Sequence, residues 1–224
     1  MVIAKSGLNN GPFLAMTTSA MVPPRIRGKR NGQISLGRSV MSTEFASANP
    51  TASEPTHSWR QKDGVLYFSV TSDGTTGGDW ITRLENKRFR VDDDAKQVLR
   101  SPDFKPTRGV TTDVAVLKRL LFMEDELTIG RIRAEAYRRK LIKTNAEVAC
   151  LTREKFTDRE LQDMVLRYIT FIHEPISNSY GDPRLLTVPI EIGGCLLTQD
   201  GGPDKRWYRD FGGFAFAVSQ SSQH

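Results

Sequence analysis

Three stretches of this 224-residue chain bring together residue types that could do chemistry. The first is Ser72-Asp73-Gly74-Thr75-Thr76-Gly77-Gly78. A glycine-rich turn that feeds a helix N-terminus exposes backbone N–H groups, and these bind phosphate or carboxylate. Gly74, Gly77 and Gly78 let a ligand approach the backbone, and Thr75 and Thr76 add hydroxyls. The phosphate-loop form would need a lysine after the last glycine; Asp79 stands there and repels an anion. The same residues also read as a plain strand-to-helix connection with an N-cap.

The second stretch is Arg131 to Lys143. It holds Arg131, Arg133, Arg138, Arg139, Lys140 and Lys143 against Glu135 alone. Such density suits a nucleic-acid backbone, with Arg138, Arg139, Lys140 and Lys143 as the gripping residues. Glu124, Asp125 and Glu126 precede it, and acid before and base after is also what the helix dipole favours in a solvated helix. The third stretch is His173-Glu174, where a histidine beside a carboxylate could act as a general base, as could Asp73 in the glycine-rich turn. A fourth, weaker group is Trp207-Tyr208 between Arg206 and Arg209, which suits either a binding rim or a hairpin that buries alternate residues.

Metal and cofactor chemistry find no support in these spacings. Cys150 and Cys195 match no ligand pattern, His57 and His224 fall in expected tails, and Asp92-Asp93-Asp94 lacks the spacing of a calcium loop. No cofactor fingerprint is present. A reducing compartment is the default for two isolated cysteines, and no stretch approaches the roughly 20 apolar residues of a membrane span.

The elements that must position these groups follow from caps and periodicity. Residues 1–57 hold six cations against Glu44 and Glu54, with scattered proline and glycine and no apolar period. They are expected to form a disordered basic leader, with a start near Met41 as one explanation of its composition. The leader carries most of the chain's formal charge of +6, so the expected single domain, 58–224, is nearly neutral. Within it, Val65–Val70 predicts a strand and Thr76 caps a helix with Trp80, Ile81 and Leu84. Asp92–Asp94 opens a second helix that ends before Pro102. Thr112 is expected to cap a helix bearing Val114, Leu117, Leu120 and Leu121, and Thr128 another with Ile129, Ile132 and Ala136. Thr144 with Glu147 and Thr157 with Glu160 have the capping-box form. Leu161, Met164, Val165, Tyr168 and Ile172 predict a long helix ending at Pro175. Leu185–Val188, Pro189–Ile192, Cys195–Thr198 and Phe214–Val218 read as strands, with Pro189 marking an edge or a bulge.

The order is strand, helices, strands. It predicts an α+β fold: a small mixed or antiparallel sheet of one N-terminal and several C-terminal strands, covered by a central layer of about five helices. The runs Tyr67–Gly77, Ser101–Thr107 and Phe214–Gln220 resemble runs in uncharacterised bacterial proteins. That resemblance implies a bacterial cytoplasmic setting and brings no activity. The expectation is therefore a non-enzymatic binding or regulatory protein, with nucleic acid or another protein as partner and no membrane. The alternative is a small phosphate-handling enzyme built on Gly74–Gly78.

Overall fold

The structure, a computed structural model, describes residues 58–123, 126–190, 194–208 and 210–219. The leader, with the expectations placed on it, lies outside the described residues, as do Glu191, Ile192 and Arg209.

The chain runs β1 (Arg60–Lys62), β2 (Val65–Asp73), α1 (Gly77–Asn86), β3 (Arg90–Val91), α2 (Asp93–Arg100) and β4 (Arg108–Lys118). A single 3-10 turn, Arg119–Leu121, leads to β5 (Glu126–Thr128), α3 (Ile129–Arg138), β6 (Leu141–Ile142), α4 (Glu147–Lys155) and α5 (Asp158–Asp163). The rest is β7 (Tyr168–Phe171), β8 (Ile176–Ser177), β9 (Pro183–Pro189), β10 (Cys195–Asp200), β11 (Arg206–Tyr208) and β12 (Gly212–Val218). This is an α+β fold with five helices among the described residues. The sheet is larger than the sequence suggests: ten strands in the order β1-β2-β4-β12-β7-β9-β10-β3, with β6 beside β12 and β8 beside β9. β7 runs parallel to β12 and β3 parallel to β10; the other pairs are antiparallel. β5 and β11 form a separate two-stranded ribbon.

Both faces of the sheet are covered, because its strands alternate between two cores. On β2, Leu66, Phe68 and Val70 pack with α1, α2, α4 and α5 through Trp80, Leu84, Val98, Leu99, Cys150 and Leu161. Val65 points the other way. It joins Ala115, Leu117, Phe214 and Phe216 under α3, which contributes Ile129, Ile132 and Ala136, and under the β5–β11 ribbon, which contributes Leu127 and Trp207. Trp207 is thus buried, edge-on to Phe214 at 5.2 Å, and belongs to the hairpin reading of its segment.

One expected helix is a strand and another is a short helix followed by a strand. Residues 108–118 form β4, between β2 and β12. Val114-Ala115-Val116-Leu117 is buried on both faces, so it shows a continuous apolar run in place of alternation. The β-branched Thr111, Thr112, Val114 and Val116 suit that pleated site. The expected long helix after Thr157 stops at α5, where the Thr157–Glu160 capping box is present. Val165 then takes φ of +54°, the left-handed conformation that ends a helix. Tyr168–Phe171 continues as a central strand held by β12 and β9. The Thr144–Glu147 box does not form: Ala146 is the N-cap of α4 and makes no side-chain cap bond. Pro189 marks no edge. It ends β9, an interior strand between β7 and β10.

Candidate functional site

The polar groups of the glycine-rich turn bond largely to one another, while other segments fill the space at Gly74 and Gly77. Thr76 caps α1 by accepting from the Asp79 N–H, and its hydroxyl donates to Asp79 Oδ2 at 2.7 Å. Asp73 accepts the Thr75 backbone N–H at 3.0 Å and the Thr75 hydroxyl at 2.5 Å, and it pairs with Arg83. These hydrogen bonds, from Thr75 and then Arg83, hold the Asp73 carboxyl at a pKa of about 2. Arg83 also binds Glu154, which Lys87 reaches at 2.6 Å. Burial alone would raise the Glu154 pKa; the two cations bring it below the usual value. Gly77 has a packing role: a Cβ there would lie 1.7 Å from the Leu99 carbonyl oxygen, so the start of α1 sits directly on the end of α2. Gly74 serves the turn itself, with φ of +87°. Arg83, bonded to both Asp73 and Glu154, ties this turn and α1 to α4.

His173 lies elsewhere, beyond β7, three strands from β2 in the sheet order. It is 1% exposed. Its Nδ1 sits 2.6 Å from the Glu174 carbonyl oxygen, and its Nε2 accepts the Leu186 N–H at 2.9 Å. Those partners define a neutral ring with the proton on Nδ1. Burial pushes its pKa down to about 4. With both nitrogens engaged, the ring bridges the end of β7 to β9 and offers no free lone pair to a substrate.

Most cations of the second stretch lie exposed on α3 and on the turn that follows it. Thr128 caps α3 by accepting from the Arg131 N–H, and Ile132 and Ala136 turn the helix's apolar side to the sheet. Arg131, Tyr137 and Arg138 are left exposed. Arg139 closes the helix, and Lys140, at φ of +58°, reverses the chain into β6. The turn is anchored where the Ser219 N–H donates to the Lys140 carbonyl and β6 pairs with Ala217 and Val218. Lys143 follows. Glu135 serves both Arg138 and Arg139, the latter at 2.6 Å, and Glu174 pairs with Lys143. Among the described residues Arg131 and Lys140 form no ion pair. The Lys143–Glu174 pair is exposed, and pairs of that kind contribute little to stability. The corner therefore presents four cations, Arg138, Arg139, Lys140 and Lys143, to two carboxylates, with Arg131 at the other end of α3.

Several buried polar groups escaped the sequence reading. Glu147, at the start of α4, is 2% exposed and accepts the Thr107 N–H at 3.0 Å as well as the Thr107 hydroxyl. Asn145 joins it and donates to the Lys105 carbonyl at 2.7 Å, so the loop after α2 is held by α4. Arg153 is fully buried against Phe89, bonded to the Phe156 carbonyl and to Asp158, each at 2.8 Å. Only the capping form of Glu147 was legible; its real partner lies 40 residues away. Among the described residues no group of three or more His, Cys, Asp or Glu side chains is placed to hold a metal ion. No helix there is long and apolar enough to cross a membrane.

No protein-family model matches the chain, and no match was found among curated proteins or solved structures.

Proposed function

We propose that this chain is a non-enzymatic binding or regulatory protein of the bacterial cytoplasm, and that the corner formed by α3 and its turn into β6 holds nucleic-acid phosphates. The observation that carries this reading is the gathering of Arg138, Arg139, Lys140 and Lys143 on the exposed C-terminal end of α3 and its turn, against Glu135 and Glu174. Phosphate contacts position a protein on nucleic acid without reading sequence, and they need cations of this density more than they need a shaped pocket. The rigid core beneath α3 supports the corner, since Ile129, Ile132 and Ala136 fix the helix on the sheet.

The enzyme alternative receives less support. It needs a base beside an open glycine turn. Asp73 is committed to Thr75 and Arg83, and His173 is committed to two backbone groups three strands away.

The test is binding of labelled nucleic acid to the full chain and to its variant Arg138→Gln, Arg139→Gln, Lys140→Gln, Lys143→Gln. Both proteins carry the basic leader, so its contribution is common to the two. Weaker binding by the variant to every probe, at an unchanged melting temperature, supports the reading. Equal binding overturns it.

A further inference from the structure

We infer that the groove where β1 parts from β2 binds a small zwitterion, of the amino-acid or short-peptide class, with its ammonium on Asp113 and its carboxylate on Arg60. This goes beyond the phosphate reading above, does not depend on it, and concerns a different set of residues.

β1 pairs with β2 only from Arg60 beside Tyr67 to Lys62 beside Val65. Before Arg60 the chain leaves the sheet, and the Ser58 hydroxyl reaches Glu160 on α5. A groove of about 430 Å³ opens there, within the usual size of small-molecule sites. Its lining includes Trp59, Arg60, Tyr67, Ser69, Asp113 and Val218. Tyr67 and Ser69 share one face of β2, because side chains alternate along a strand. Asp113 lies opposite Ser69 on β4, and Val218 follows the Ala217–Val114 pair of β12 and β4. The core under α3 takes Val65, Ala115 and Leu117 from this face, whereas Ser69 and Asp113 remain exposed.

Each charged group of the groove is held by a neighbour that does not neutralise it. The Arg60 guanidinium lies over the Tyr67 ring, 5.3 Å from its centroid. Asp113 Oδ1 accepts the Ser69 hydroxyl at 2.5 Å. Among the described residues neither Arg60 nor Asp113 forms an ion pair, with each other or with any other group. The register sets them two strands apart across the sheet and two residues apart along it, so their Cα atoms are about 12 Å apart at the usual strand spacing and rise. A cation and an anion that share one groove without pairing are complementary to a molecule carrying both charges. A simple anion would bring like charge to Asp113 and a simple cation would bring it to Arg60, and each mismatch discriminates against that ligand. Trp59, Tyr67 and Val218 add apolar surface for the part of the molecule between its charges.

The experiment titrates the full chain by calorimetry with leucine and with the dipeptide of two leucines, each in three forms: free, N-acetylated to remove the ammonium, and C-terminally amidated to remove the carboxylate. At least one free zwitterion should bind about threefold or more tightly than both of its capped forms, the scale of one partly exposed ion pair. Whether that zwitterion is leucine or the dipeptide separates the two sources. Asp113→Asn should erase the difference between the free and acetylated forms and keep that between the free and amidated forms. Arg60→Gln should do the reverse. Both side chains are exposed, so the melting temperature of each variant should match the parent's. Failure of all six probes to bind overturns the inference, as does equal binding of free and capped forms. Sensitivity to Arg60→Gln with none to Asp113→Asn would show a plain anion surface and overturn it too. The four-fold glutamine variant of the α3 corner should bind the zwitterion as the parent does; a loss there would move the site to the corner and overturn the assignment to this groove.

Discussion

His173 illustrates how one side chain can carry the signature of catalysis and serve structure instead. Its imidazole replaces a backbone partner for Leu186 N–H, on a strand whose ladder would otherwise leave that donor buried and unpaired. The fold therefore prefers the neutral ring. The unfolded chain takes up a proton near the ordinary value of 6.5, whereas the folded one does so only near 4. The stability this depressed pKa supplies is complete above about pH 6.5 and is lost as pH falls toward 4, at most on the order of 3 kcal/mol. Glu154, Glu174 and Asp73, whose pKa values are also lowered, add their own loss only below the ordinary carboxylate range. Urea melts at closely spaced pH values should show stability falling between pH 6.5 and 5.5. In His173→Gln, whose amide can accept from Leu186, that slope should flatten. Parallel slopes for the two proteins would assign the acid sensitivity to other groups.

At the scale of elements, the glycines of the first turn separate packing from ligand binding. Gly77 has the Leu99 carbonyl where a Cβ would go, whereas nothing lies within 4 Å of a Cβ on Gly78. Gly77→Ala should destabilise by about 1–3 kcal/mol or more, because a backbone carbonyl cannot move aside as a flexible side chain can. Gly78→Ala should stabilise by up to about 1 kcal/mol, the helix preference of alanine over glycine. Thermal melts of the two variants read both signs directly. Val165 offers a third measurement. A β-branched residue at φ of +54° is strained, and this one is 67% exposed, so little burial is at stake. Val165→Gly should raise the melting temperature, by an amount corresponding to about 1 kcal/mol. A fall would mean that its apolar contacts matter more than its backbone. These elements also show what was legible. Thr76, Asp92, Thr128 and Thr157 announced four helix starts, because a cap depends on residues three apart. β4 and β7 were not legible. Their partners lie on β2, β12 and β9, outside any local pattern, and burial on both faces removes the alternation that marks a strand. Val165 gives no warning either, since a left-handed cap is usually glycine.

At the scale of the whole molecule, charge is distributed unevenly around a well-filled core. The sheet uses both faces, four helices cover one, and α3 with the β5–β11 ribbon covers the other. The cations of the second stretch were readable as a run; their arrangement was not. That arrangement depends on Lys140 reversing the chain and on β6 docking against Val218, near the other end of the domain. Tyr137 could be noticed among the charges, but its exposure follows from the core taking Ile132 and Ala136. The central claim is that this corner holds phosphates, and salt dependence tests it most directly. The measurement is the affinity of the full chain and of the four-fold glutamine variant for one nucleic-acid probe across a salt series. The parent should lose affinity linearly in log–log form, and the variant's slope should be shallower by about one for each phosphate contact removed. Identical slopes and affinities for the two proteins would contradict the account.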